Sequence, residues 1–250
     1  MSTTTPASGL GVNFESIAQT ECNRSSRPVS QDDRIVCLSK AVLFSGLSAI
    51  QYREVASVAN EVFYSENETV FLQDEPVRRV LLVASGAVKI SRIDEAGHET
   101  LLRLERAGEW LDDTSGSWQV HSVCARSTEE SLLLAWDTAI FEAITKRIPT
   151  IERNMVRVMH TRLQALQDRF CDVSTLCVPQ RLARTILRLG SDASHSISLS
   201  REEIAQMTGT TMFTVSRLLS SWAESDIVTL DRRRVFIESP DRLRELAEAA

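Results

Sequence analysis

Apolar and polar positions alternate along the chain in three different textures. A short helix is expected around Asp32–Lys40, followed by the entry Leu43-Phe44-Ser45-Gly46-Leu47-Ser48. Ser48 can cap a second helix running to about Glu61, with Ile50, Val55 and Val58 on one face. From Val62 to Trp136 short β-rich runs follow: Thr69–Leu72, Val80–Val83, Ala87–Ile93, Thr100–Leu104, His121–Ala125 and Leu132–Trp136. Polar turn signals such as Glu66-Asn67-Glu68, Asp74-Glu75-Pro76 and Glu95-Ala96-Gly97 separate them. Regular short strands with polar turns predict a small antiparallel sandwich or barrel.

The period then becomes helical. Asp137–Lys146 predicts one helix, and Pro149, suited to a first turn, opens a long one through about Asp172. In its second half Leu163, Leu166, Phe170, Val173 and Cys177 recur at spacings of three and four, an a/d seam that on a long helix faces a partner helix. A coiled coil between identical subunits is the economical reading of that seam, with Met155 and Val158 as its earlier members. Packing of the first half (Ile151, Met155, Val158) on the chain's own β domain explains those residues equally well. Gln180–Gly190 predicts a further helix ending at a glycine. Ser200–Met207 follows with Ser200 and Glu203 as a capping box, then Thr211–Ala223. Last comes a hairpin, Val228–Leu230 with Val235–Ile237, across Asp231-Arg232-Arg233-Arg234.

Leu199–Ile227 is the informative segment. A helix with a small residue at Ala205, a turn containing Gly209 and a second helix anchored by Val215 and Leu218 describe a helix-turn-helix. The second helix of such a pair lies in the DNA major groove with its N-terminal side chains at base edges. Exposed there would be Thr210, Thr211, Met212, Phe213, Ser216 and Arg217. Arg217 is the base reader to expect, since a guanidinium bonds guanine bidentately. Thr211, Thr214 and Ser216, with Ser200 at the first helix, suit phosphates, and Arg232, Arg233 and Arg234 form a wing against the backbone. An ordinary two-helix hairpin with a basic loop is the bland alternative.

Charge and composition sharpen this division. The 250 residues are 43% hydrophobic and 25% charged, ordinary globular values that exclude a wholly disordered chain, a fibre or a disulfide scaffold. The net charge of −6 argues against a protein that coats nucleic acid everywhere. Val178–Ala250 is nevertheless neutral, so the acidic excess lies N-terminal and the C-terminal arginines are clustered. Apolar runs are far shorter than the roughly 20 residues of a membrane span, and residues 1–30, rich in Ser and Thr, read as a disordered tail rather than a secretory leader. A cytoplasmic protein without membrane contact is expected.

Taken together, the Leu-Phe-Ser-Gly-Leu-Ser entry, the glycine-punctuated β region, the proline-opened helix and the winged helix-turn-helix resemble the bacterial cAMP receptor protein/FNR family of transcription regulators. Val77–Ile93, Pro179–Leu189 and Leu199–Ile227 carry the likeness most strongly. The resemblance implies an α+β fold: a cyclic-nucleotide-binding-like β-roll (jelly roll), a long dimerisation helix and a C-terminal winged helix-turn-helix. Its domains would be 31–148, 149–177 and 178–250. It implies a homodimer on a twofold-symmetric double-stranded DNA operator, recognition helices about 34 Å apart, and RNA polymerase as a further partner. The family mechanism is a population shift in which an effector in the roll repacks the long helices.

Two departures from the family stand out. Where most relatives open the recognition helix with Glu-Thr-Val/Ile-Ser-Arg, this chain reads Phe213-Thr214-Val215-Ser216-Arg217. Phe213 cannot accept from a cytosine amine but can touch a thymine methyl, which predicts a shifted operator preference. Cyclic-nucleotide binders hold ribose with Gly-Glu and phosphate with Arg-Ser. The matching positions here are Asp112-Asp113 and about Gln119-Val120, and with Glu109 they make a degenerate effector pocket. Three carboxylates and no arginine predict no tight cAMP or cGMP binding.

No cofactor is predicted. An iron–sulfur cluster would need a ligand beyond Cys22, Cys37 and Cys124, and Cys171 and Cys177 lie far along the chain. Haem through His98, His121 or His160 stays open, as does thiol sensing. No nucleophile elbow, phosphate-cradling loop or metal-ligand pair suggests an enzyme. The rival reading is a small-molecule-binding β-roll module whose C-terminal domain contacts protein rather than DNA.

Overall fold

The computed structural model describes residues 30–111, 120–190, 196–232 and 234–248. The tail reading lies outside these except at Ser30, whose hydroxyl accepts from the Asp33 amide at 3.2 Å and caps α1 (Gln31–Lys40). A single 3-10 turn, Val42–Phe44, leads to α2 (Ala49–Ser57). This helix stops four residues before Glu61, because Asn60–Tyr64 is drawn into strand β1 by pairing with β7 (Ser131–Asp137). Ile50 falls in the first turn of α2 and is 76% exposed, so the expected face is corrected to Val55 and Ala56.

The roll consists of two antiparallel sheets. One has the order β1-β7-β3, with β3 at Arg79–Ser85. In the other, β2 (Thr69–Phe71), β6 (Cys124–Ser127), β4 (Ala87–Ile93) and β5 (Glu99–Arg106) follow the order β2-β6-β4-β5. β7 explains the apolar run Leu132–Trp136. Leu133 and Ala135 point into the core between the sheets, whereas Leu134 and Trp136 point into a second core beneath α2 and α3 (Thr138–Arg147). Strand alternation with both faces covered gives continuous burial instead of the usual polar–apolar rhythm.

α4 (Pro149–Thr175) is 27 residues long. Its first half is tied to the roll: the buried Asn154 amide donates to the Leu43 and Ser45 carbonyls at 3.0 and 2.9 Å, and Met155 and Val158 pack against the roll's own core. Its second half exposes Leu163, Leu166, Phe170 and Val173 (50–73%). Val156, 63% exposed and seven residues before Leu163, extends the seam backwards. Cys177 leaves it: α4 ends at Thr175 and Cys177 is the cap of α5 (Val178–Leu189). Pro179 has no N–H for the Thr175 carbonyl, so the helix cannot run through.

The C-terminal domain holds β8 (Ser196–Ile197), α6 (Arg201–Thr208), α7 (Met212–Glu224), β9 (Val228–Asp231), β10 (Arg234–Ile237) and α8 (Pro240–Glu248). Its sheet order is β8-β10-β9. Leu182, Ile186, Ile204, Val215, Leu219 and Leu243 are fully buried in its core.

Candidate nucleic-acid interface

Local chemistry fixes the two helices before any partner does. The Ser200 hydroxyl accepts from the Glu203 amide at 3.2 Å and the Ser200 amide donates to Glu203 Oε2 at 2.8 Å, which starts α6 with a complete capping box. Gly209 ends it at φ +67°, a left-handed position that disfavours any side chain. Two residues on, the Thr211 hydroxyl accepts from the Thr214 amide at 3.3 Å and starts α7.

α7 is two-faced. Val215, Leu219 and Trp222 are buried, whereas Met212, Phe213 and Arg217 are exposed, Phe213 to 79%. An apolar ring left that far in water on the first turn is the unusual feature of this helix.

Side chains missed by sequence reasoning hold this pair in place. Arg181 on α5 donates to three carbonyls, Leu176 at the end of α4, Thr208 and Gly209, each at 3.0 Å. The turn of the helix-turn-helix is thereby tied to the hinge between α4 and α5. The buried Asp172 carboxylate binds Arg184 and Arg188 at 2.8 Å each. The three-dimensional turn at Cys177 brings these charges together, and nothing in the sequence around Asp172 signals its burial or its partners.

The domain is also docked on the roll. Lys89 on β4 meets Glu203 at 2.8 Å, the Gln206 side chain accepts from the Leu101 amide at 3.1 Å, and Arg106 donates to the Ser196 carbonyl at 2.9 Å. Leu101 of β5 is buried in the winged domain's core. Burial pushes the Glu203 carboxyl up, but hydrogen bonds from Lys89 and the Ser200 cap outweigh it and leave it below its ordinary value.

The expected DNA-facing residues distribute unevenly. Thr210, Thr211, Met212, Phe213, Thr214, Ser216 and Arg217 come together at the start of α7. Ser200 is instead engaged in capping α6. In the wing, Arg232 is exposed and Arg233 lies outside the described residues. Arg234 is the first residue of β10, opposite Asp231, and its guanidinium lies 3.8 Å from Glu129 of the roll.

Of the effector-pocket positions, Asp112, Asp113 and Gln119 lie outside the described residues, and Val120 is 49% exposed in a bridge with Pro76. Glu109 accepts from the Arg106 amide and lines a cavity beside Glu105. Enclosure by protein and the Glu105 carboxylate push its carboxyl up to about 8, although one face still meets solvent. Cys22 lies outside the described residues; Cys37 is half-buried, Cys124 buried, and Cys171 and Cys177 exposed. His98 and His160 are exposed, while His121 stacks on Phe71 with centroids 3.7 Å apart. Among the described residues no three His, Cys, Asp or Glu side chains converge as metal ligands would, and no helix is long and apolar enough to cross a membrane.

A β-roll joined through a long helix to a winged helix-turn-helix defines a class, the sensor-type DNA-binding regulators. Comparison with known proteins supports both halves: residues 61–147 match the cyclic nucleotide-binding domain and residues 180–246 the Crp-like helix-turn-helix domain. A CRP-like cAMP-activated global transcriptional regulator of Mycobacterium tuberculosis is 27% identical over 227 residues, 84% of this chain and 98% of the relative. The fumarate and nitrate reduction regulatory protein of Escherichia coli is 25% identical over 191 residues, 73% of this chain and 76% of the relative. The structure of FixK2 from Bradyrhizobium japonicum superposes with a TM-score of 0.68 at 22% identity, covering 77% of this chain and 99% of that one. The chain belongs to the Crp/Fnr family of transcription regulators, with a helix-turn-helix DNA-binding domain. Its relatives are regulators, not enzymes.

Proposed function

We propose that this chain is a cytoplasmic, homodimeric, sequence-specific regulator that reads DNA through the first turns of α7. The carrying observation is the exposed edge of that helix, where Met212, Phe213 and Arg217 stand free above a buried Val215–Leu219–Trp222 face. Arg217 is the base reader, Phe213 the thymine-methyl contact, and Thr210, Thr211, Thr214 and Ser216 line the phosphates with Arg232. Residues 149–177 join two copies through Leu163, Leu166, Phe170 and Val173, with 31–148 as sensor and 178–250 as reader. RNA polymerase is the further partner.

The same reading holds that cAMP is not the signal. Asp112 and Asp113, with no arginine between Arg106 and Arg126 in the sequence, support it, since a phosphate placed among carboxylates without a bidentate partner is repelled. DNA binding measured over a salt series tests the main proposal. A steep fall of affinity with salt, with Arg217→Ala costing about 1–3 kcal/mol at the cognate site, is expected. Affinity indifferent to both salt and Arg217 would instead favour a protein-contacting C-terminal domain.

A further inference from the structure

A cavity of about 480 Å³ lies between the roll and the winged domain, inside the roughly 300–1,000 Å³ range of small-molecule sites. Leu102 and Leu104 of β5, Val158 and Leu166 of α4, Leu189 of α5 and Met207 of α6 give it mostly apolar walls. An occupant therefore needs an apolar body.

Among the described residues, Arg169 in these walls bonds no carboxylate. Glu105 is matched by Arg103 at 2.8 Å and Arg162 at 3.0 Å, and Arg188 by Asp172. Glu109, pushed up to about 8, contributes little negative charge at pH 7. Arg169 reaches only the main-chain carbonyls of Leu102 and Met207; among the described residues no carboxylate meets it. Burial, then the neighbouring Arg188 and Arg103, disfavours its charged form. An anion at this point would relieve that cluster.

We infer that the cavity binds a small monocarboxylate with an apolar body. Its carboxylate bonds the Arg169 guanidinium, whose remaining N–H groups fit a carboxylate's two oxygens, and its body lies against Leu102, Leu189 and Met207. Because β5, α4, α5 and α6 all line the site, occupancy stabilises the docked arrangement by mass action. The inference goes beyond DNA reading and is tested without DNA.

Calorimetric titration of the full chain at pH 7 with octanoate and indole-3-acetate, against the uncharged octanol and indole-3-ethanol, is the experiment. At least one carboxylate should bind saturably at one per chain, at least tenfold tighter than its alcohol, and Arg169→Gln should erase that preference. Ala165→Trp, filling the cavity from the exposed flank of α4, should remove binding with Arg169 intact. Absence of saturable binding, equal affinity for acid and alcohol, or undiminished binding by folded Ala165→Trp would overturn the inference. Should Arg169→Gln not fold, the acid–alcohol comparison and the Ala165→Trp result decide it.

Discussion

Asp172 and Arg188 meet at 2.8 Å across the turn that separates α4 from α5, and Arg184 takes the other carboxylate oxygen at the same distance. With Arg181 bonded to Leu176 and Gly209, this clamp sets the direction in which α5 leaves the long helix and ties the turn before α7 to that bend. Asp172→Ala leaves two guanidiniums facing one another without their carboxylate. It is expected to cost about 1–3 kcal/mol in urea unfolding and to weaken DNA binding while the preferred half-site stays the same. A loss below about 0.5 kcal/mol, the scatter of ordinary surface substitutions, would show that the clamp does not set the hinge.

Phe170 is the most exposed member of the α4 seam at 73%. A carboxylate placed at such a position faces its twin across a twofold interface. Phe170→Glu should shift the chain from dimer to monomer in sedimentation velocity at concentrations where the parent is dimeric, and DNA affinity should fall with it. An unchanged dimer would place the interface elsewhere.

Phe213 presents an apolar ring, 79% exposed, where the family resemblance implies a glutamate. Phe213→Glu should move operator preference away from a thymine and toward a cytosine at one position per half-site, by about 1–3 kcal/mol for that base pair. Binding to a panel of single-base operator variants reads this directly. An identical ranking for both proteins would mean the ring does not touch a base.

The Lys89–Glu203 pair joins the roll to the helix-turn-helix at 2.8 Å, with both side chains largely shielded. Glu203 is held below its ordinary value of about 4.5, so its contribution is present above that pH and is lost as pH falls through the lower folded-state value. The melting-temperature gap between the parent and Glu203→Gln should be widest above about pH 5 and close toward pH 3. A gap independent of pH would assign the effect to packing.

The local rules were legible where one element decides its own form. The Ser200–Glu203 box, Gly209 and Pro149 each act within a few residues, and each stands as its pattern implies, while Leu163, Leu166 and Phe170 stand exposed along α4. β1 was not legible, since Asn60–Tyr64 becomes a strand only because β7 offers it a ladder. Cys177 fits the seam by spacing, but the missing N–H of Pro179 ends the helix first. Arg181, Asp172 and Arg169 look like surface charges in the sequence; their partners lie on other elements, and only the bend at Cys177 and the docking of Leu101 bring them into reach. Arg234 likewise reads as loop until strand pairing places it opposite Asp231.

Selection of the bound sequence from random duplex DNA, using the full chain, bears most directly on the reading of α7. The expected winner is an inverted repeat whose half-site centres lie about one turn apart, roughly 10–10.5 base pairs, with protection of both halves that Arg217→Ala abolishes. Enrichment of a single unrepeated site, or of no sequence at all, would contradict a dimer reading DNA with two copies of that helix.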